Sequence, residues 1–354
     1  MQTFFIVAIL GLGFLITFQI AKASEYVAVL RGEEKARKQT NKVNAFMLLA
    51  FLIIGLIGVY YCNEKLKGKI LGEAASDHGV LIDRMLYITI ALTGIVFIIT
   101  QVCLFWFSFK YQESDKRKAY YYPHNNKLEL IWTVIPAIAL TVLVGFGLFY
   151  WFKITGNSPK DSMVVEVTGS QFKWEFRYPG KDKILGKKYF KKTDEAKGNP
   201  MGQLWDDPAN HDDVYNPGEM HLVVNKPVHL VINAKDVIHD VGLAHFRMKM
   251  DAVPGTPTTM WFTPKYTTKQ MIEKTGKPEF VYELSCDQMC GKGHYSMRAV
   301  VIVETQEEFD AWMASKKPQY IVANPDKGSS EPKKDSVISK VPVVGAPVAM
   351  KTKN

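Results

Sequence analysis

The sequence predicts an α-helical membrane part of four spans followed by an all-β domain, on three observations. Nearly all of the apolar excess lies before residue 153. Four stretches there, residues 4–21, 45–62, 85–109 and 130–152, contain no charged side chain. After residue 153 the pattern changes to short runs in which apolar and polar residues alternate, punctuated by Pro-Gly pairs. With 47% hydrophobic residues and four cysteines in 354 residues, the chain is neither a disordered protein nor a disulfide scaffold.

Each of the four stretches is long enough to cross a bilayer core as a helix, the last two with length to spare. Lys110 and Lys153 close the third and fourth, with Trp106, Tyr150 and Trp151 near those ends, as interfacial anchoring requires. The first stretch has a second reading as a secretory signal, because Ala21-Lys22-Ala23 resembles a cleavage site. Its MQTFF start carries no positive charge, and Lys22, Arg31, Lys35, Arg37, Lys38 and Lys42 follow it. The positive-inside rule holds such a segment in the cytoplasm, so the span is read as retained. With four spans and an external N-terminus, loops 22–44 and 110–129 are cytoplasmic and everything after residue 153 is external.

The strand runs are residues 163–167, 172–178, 221–224, 228–234, 258–262, 280–284 and 299–303. Their period-two alternation between turn residues points to a compact β-sandwich or barrel. Residues 181–216 interrupt the series with a basic cluster from Lys187 to Lys192, acidic pairs Asp206-Asp207 and Asp212-Asp213, and little apolar periodicity. They read as an inserted surface loop. Residues 316–354 are Lys, Pro, Ser and Gly rich and read as a disordered tail. The organisation is therefore 1–84 with two additional spans, 85–152 a helical hairpin, 153–315 an external domain, and the tail. The net charge of +9 is not a nucleic-acid signature, because residues 153–315 carry 21 basic against 22 acidic side chains and no basic folded face is expected.

The densest chemistry is CDQMCGKGHYSM, which spaces Cys286, Cys290, His294 and Met297 as C-x3-C-x3-H-x2-M. Two thiolates, an imidazole and a thioether select copper or another soft late metal over magnesium or calcium. His239, at a strand end, is the candidate second imidazole. Zinc would leave Met297 idle, and a mononuclear copper centre needs one cysteine only. The second thiolate argues for a binuclear centre with both sulfurs bridging. Cys62 and Cys103 lie in or beside spans and read as inert thiols. The chain has no C-x-x-C-H, so no covalent haem c is expected.

The order of hairpin, strand domain and CDQMCGKGHYSM resembles subunit II of haem–copper cytochrome c oxidase. HNNKLELIWTVIP, GSQFKWEFRY and VIHDVGLAHFRMKMDAVPG carry the same resemblance over about residues 85–315. It implies a cupredoxin-like barrel holding a binuclear copper centre (CuA), with His239, Cys286, Cys290, His294 and Met297 as side-chain ligands and Gln288 offering its backbone carbonyl. The family commonly has Glu where Gln288 stands, and that carboxylate also binds magnesium. A neutral amide is a weaker ligand for a hard cation, so copper carries over and magnesium is doubtful. Phe172 stands where the family has the aromatic residue that receives electrons, with Trp174 two residues on. As strand neighbours they would share a face, which leaves either as the point of electron input, or both as core. Glu129 matches a carboxylate near the mouth of a proton path into subunit I, with interfacial anchoring as the plain alternative.

The resemblance implies an electron-accepting subunit of a terminal oxidase in a membrane, expected to be a bacterial plasma membrane with the copper domain on the periplasmic side. Cytochrome c, or a haem c domain of a partner complex, would reduce CuA, which reduces haem in subunit I for oxygen reduction coupled to proton pumping. Asp206, Asp207, Asp212 and Asp213 read as a solvated face, with steering of a basic cytochrome as the alternative role. The alternatives are the CuA subunit of a nitric oxide reductase, or a subunit II of a quinol oxidase, which lacks the copper ligands.

Overall fold

The computed structural model describes residues 2–67 and 72–327. Two compact units emerge, Met1–Arg177 with Asn216–Trp312, and Tyr178–Tyr215 with Met313–Asn354. The first begins with four helices, α1 (Gln2–Arg31), α2 (Glu33–Leu66), α3 (Asp77–Lys110) and α4 (Asn126–Ile154). Gly32, at φ 85°, separates α1 from α2, a left-handed value that glycine adopts without steric cost. Ser76 caps α3 by accepting the Gly79 N–H and donates its own hydroxyl to the Phe246 carbonyl, while Asn125 caps α4 through the Leu128 N–H. Both follow the usual N-cap chemistry.

Among the described residues three helices, α2, α3 and α4, are long and apolar enough to cross a membrane, rather than four. The expected first span, residues 4–21, falls on α1, where the side chains of residues 2–10 lie outside the described ones. α4 buries none of its residues against protein, as a lipid-facing helix does. Aromatic pairs Phe46–Phe109 and Phe51–Phe105 join α2 to α3. Arg37 meets Glu113 at 2.9 Å and Lys38 meets Asp115 at 2.6 Å, so the start of α2 and the loop after α3 lie on one side, as the charge pattern requires.

The strands follow: β1 (Met163–Ser170), β2 (Lys173–Tyr178), β3 (Val214–Pro217), β4 (Glu219–Val223), β5 (Val228–Ala234), β6 (His239–Leu243), β7 (Met248–Ala252), β8 (Thr258–Phe262), β9 (Tyr282–Cys286) and β10 (Arg298–Glu304). α5 (Thr268–Thr275) stands between β8 and β9, and α6 (Gln306–Ser315) follows β10. One sheet has the order β3-β2-β1-β5-β8 and the other β4-β10-β9-β6-β7. Val165, Val167, Phe176, Leu230, Ile232, Phe262, Leu222, Leu284 and Val301 are buried to form the core. On β1 these apolar residues alternate with Glu166 and Thr168, which face the other side of the sheet. All seven expected strands are present, and β3, β6 and β7 are additional.

The second unit corrects the reading of residues 181–216 as a surface loop. It has a core, but a polar one. Asn199 donates to the Gln203 carbonyl and accepts its N–H. Gln203 donates to Asn210, which donates to the carbonyls of Lys187 and Leu204. Gln319, at the start of α7 (Gln319–Ala323), donates its amide to the Gly198 carbonyl and its N–H to the Asp213 carbonyl. His211 stacks on Tyr320 with centroids 4.0 Å apart. The expected tail therefore contributes a helix here, and its residues 328–354 lie outside the described ones. Nor do the acidic pairs form a docking patch. Asp213 is fully buried and accepts the Gly186 N–H, Asp212 accepts that of Asp182, and Asp207 accepts those of Lys187 and Ala209. Of the four, Asp206 alone stands exposed.

Candidate metal centre

The site is built where the β6 start meets the β9–β10 loop. Val241 pairs with Cys286 across β6 and β9, so His239 and the first cysteine project from neighbouring strands toward one point. The loop then turns at Gly291, with φ 130°, and a 3-10 turn, His294–Ser296, carries the second imidazole back toward Cys290. Gly169 on β1 leaves room for His239 and Trp174, since a Cβ there would stand 3.0 Å from each ring.

Cys286 and Cys290 are free thiols with sulfurs 3.7 Å apart, both buried. Each has its own imidazole and its own weak donor. The Cys286 sulfur lies 3.8 Å from His239 Nδ1 and 3.2 Å from the Gln288 carbonyl. The Cys290 sulfur lies 3.7 Å from His294 Nδ1 and 3.9 Å from Met297 Sδ. Ligand atoms of His239, Cys286 and Cys290 all fall within 4.8 Å of one another. Burial first, and the neighbouring Cys286 thiol second, push the Cys290 thiol up to about 11. Ionising the Cys290 sulfur at neutral pH therefore calls for a bound cation, and a soft one is what this donor set fits.

Behind the imidazole stands a carboxylate that the sequence reading missed. Asp236 Oδ1 accepts from His239 Nε2 at 2.8 Å and from the Val237 N–H, and Oδ2 accepts the Gln171 N–H at 2.7 Å. The bond to Nε2 fixes the tautomer that leaves the Nδ1 lone pair facing the thiols. Burial raises the Asp236 carboxyl, but the Gln171, His239 and Val237 donors outweigh it and hold the group below the usual carboxylate range. Gln171 also donates its amide to the Cys290 carbonyl at 2.6 Å. A three-residue step from Asp236 to His239 in KDVIHD was the available signal. Next along β6, burial and a hydrogen bond to Asp251 push Asp240 up to about 7.

Phe172 and Trp174 do not share a face. Phe172 lies in the turn before β2, partly exposed, with its ring against Gly291 and Gly293 of the metal loop. Trp174 is 1% exposed in the core, its ring 6.0 Å edge-on to His239, and its Nε1 has no partner among the described residues. The turn between β1 and β2 breaks the alternation that would have aligned them. Gln288 is exposed, and Glu129 lies in the first turn of α4, exposed, accepting the Asn125 N–H at 3.4 Å.

Residues 73–149 match the family described as cytochrome c oxidase subunit II, transmembrane domain, and residues 163–305 match its periplasmic domain. The alternative cytochrome c oxidase subunit 2 of Bradyrhizobium diazoefficiens is 35% identical over 237 residues, covering 67% of this chain and 80% of that one. The chain belongs to the cytochrome c oxidase subunit II family. The cytochrome c oxidase subunit 2 of Thermostichus vulcanus is 24% identical, over 69% of this chain and 77% of the relative. A solved periplasmic domain of subunit II from Bradyrhizobium japonicum is 22% identical, covers 45% of this chain and 96% of that one, and aligns with a TM-score of 0.31. Membership of the subunit II family makes the chain part of a membrane-bound oxidoreductase complex. Its apolar helices anchor a cupredoxin-like β-domain outside the membrane, and electron transfer through copper is the family role.

Proposed function

We propose that this chain accepts electrons for a haem–copper terminal oxidase at a binuclear copper centre held by His239, Cys286, Cys290, His294, Met297 and the Gln288 carbonyl. The observation that carries the reading is the division of donors into two sets, one imidazole and one weak ligand around each sulfur of a thiol pair. Two coppers held by these residues would supply a one-electron centre shared between them. The chain's own residues do the rest. Asp236 orients His239, Gln171 ties the Phe172 turn to the Cys290 backbone, and Met297, fully buried, closes the floor against water.

Phe172 is the proposed point of electron input and Trp174 a core residue beside His239. Met289 and Tyr295 are 75% and 81% exposed, and Ile238 also faces solvent. With Phe172 they are the proposed apolar docking face for cytochrome c or a haem c domain of a partner complex, and electrons pass from there to the copper centre and on to haem in subunit I. Oxygen reduction coupled to proton pumping belongs to that subunit. Glu129, hydrated at the cytoplasmic end of α4, is proposed to feed protons toward it. At Gln288 magnesium would meet a neutral amide in place of a carboxylate. The arrangement is four spans, 1–84 and 85–152, in a bacterial plasma membrane, with the copper domain, 153–315, on the periplasmic side.

The test is electron paramagnetic resonance and copper content of the full-length protein. Two coppers per chain with a seven-line hyperfine pattern are expected. One copper with four lines, or zinc alone, would refute the binuclear reading.

A further inference from the structure

The polar insertion carries a surface that electron transfer does not use. Between residues 181 and 192 the sequence has six lysines against one aspartate, and no arginine. Lys181, Lys183, Lys187, Lys191 and Lys192 are exposed and form no ion pair among the described residues. Among them Phe190 is 74% exposed, Ile184 59% and Tyr189 44%. Lys191 reaches over the Phe190 ring at 5.9 Å, and Tyr189 packs edge-on to Phe190 at 5.2 Å.

This is not a floppy charged loop. The Tyr189 N–H donates to the Gly202 carbonyl at 2.7 Å and the Lys187 N–H to Asp207 at 2.8 Å. Gly186 is pinned to buried Asp213, and residues 190–192 form a 3-10 turn. The backbone is held while the apolar and cationic side chains face outward. Holding large apolar side chains in water has a cost that a binding surface would recover.

We propose that this surface docks on anionic phospholipid headgroups. Three observations favour lipid over an acidic protein. The cations are all lysines and the tip is a phenylalanine, the composition of interfacial segments that seat an aromatic ring at headgroup level. Protein interface cores share the aromatic residues but by contrast are depleted in lysine and rely on arginine. Secondly, the chain is already tethered to a bilayer, so docking is intramolecular and weak contacts suffice. Thirdly, β2, the strand after which the insertion begins in the sequence, runs within the first unit toward the end where α4 joins β1. β1 begins nine residues after the last residue of α4, at Met163, and Trp261 at the same end donates to the Gly156 carbonyl. β2 runs antiparallel to β1 with Glu166 opposite Arg177, and so leads back toward that end before the insertion starts.

The test is lysine acylation read by mass spectrometry on the full-length protein in two nanodisc preparations, one of phosphatidylcholine and one with phosphatidylglycerol added at roughly one part in four. Each lysine near an anionic surface gains about 1 kcal/mol, so the five lysines should react about fivefold more slowly in the anionic discs. Lys292, exposed on the metal loop at the far end of β1 from α4 and without an ion pair among the described residues, should react equally in both. The difference should vanish at about 1 M salt, where the screening length falls to ~3 Å, and shrink in Phe190→Ser. Equal rates in the two discs would overturn the proposal. So would protection that appears only on adding the other oxidase subunits or an acidic cytochrome, since the surface would then belong to a protein. Copper occupancy enters none of these outcomes, so the metal reading stands or falls separately.

Discussion

Replacing Gly293 by alanine should uncouple electron input from the metal centre. A Cβ at this position would stand 2.5 Å from Phe172 Cγ, 2.6 Å from Cδ2 and 3.1 Å from Cδ1. Carbon pairs rest at about 3.5–4.0 Å, so the ring has to retreat by roughly 1 Å or more. The backbone does not object, because Gly293 sits at φ −95°, ψ 8°, open to any L-residue. Phe172 is 38% exposed and has solvent to move into, which keeps the overpacking cost near the lower end of the usual 1–3 kcal/mol. The copper content and paramagnetic spectrum should therefore be retained, while stopped-flow reduction by cytochrome c slows. Displacements of about 1 Å cost up to ~10²-fold in reactions that depend on close positioning. An unchanged reduction rate with the ring demonstrably displaced would refute Phe172 as the contact. Gly291→Ala is the contrasting variant, since φ 130° strains any side chain there and copper itself should be lost.

Asp236→Asn leaves one acceptor oxygen where the carboxylate offers two to His239, Val237 and Gln171; copper affinity in a competition titration should fall about 10–100-fold, and unaltered affinity would show the bond to be passive. Cys290→Ser should abolish the seven-line spectrum, leaving at most one copper by metal analysis. Arg177 and Glu166 are paired at 2.6 Å with both side chains about 3% exposed, so Arg177→Ala should lower stability by about 3–5 kcal/mol in denaturant unfolding. His229 and His245 are held below the ordinary histidine range by burial, with Arg247 adding to the effect at His245. Their folded values are depressed, so their neutral forms support the fold above about pH 6.5. That support should be lost as pH falls below it, and His229→Gln should flatten the decline in melting temperature.

How legible each part was depends on which physical signal carried it. The helices and the strands β1, β5 and β8 were plain because burial against lipid or a sheet core demands long apolar runs or strict alternation. β6 and β7 were not, since HDVGL and MKMDA place Asp240, Gly242, Lys249 and Asp251 mid-strand, and methionine is a weak strand signal. The proposed loop ligands Cys286, Cys290, His294 and Met297 stood out by spacing because one loop supplies all four. Asp236 and Gln171 were harder, as they act through hydrogen bonds between segments 65 residues apart. The insertion was misread for a definite reason. Its interior is made of Asn199, Gln203, Asn210 and Asp213 satisfying one another and the backbone, and a hydrophobicity pattern cannot register such a core.

The spacing of the two thiols also bears on how the protein matures. A disulfide has an S–S length of about 2.05 Å, so sulfurs held 3.7 Å apart need approach by only about 1.7 Å more to bond. Two thiols this close together are as open to an oxidant as to copper. Outside the membrane, where disulfides form and persist, assembly becomes a race in which the cysteines must be kept reduced until the metal arrives.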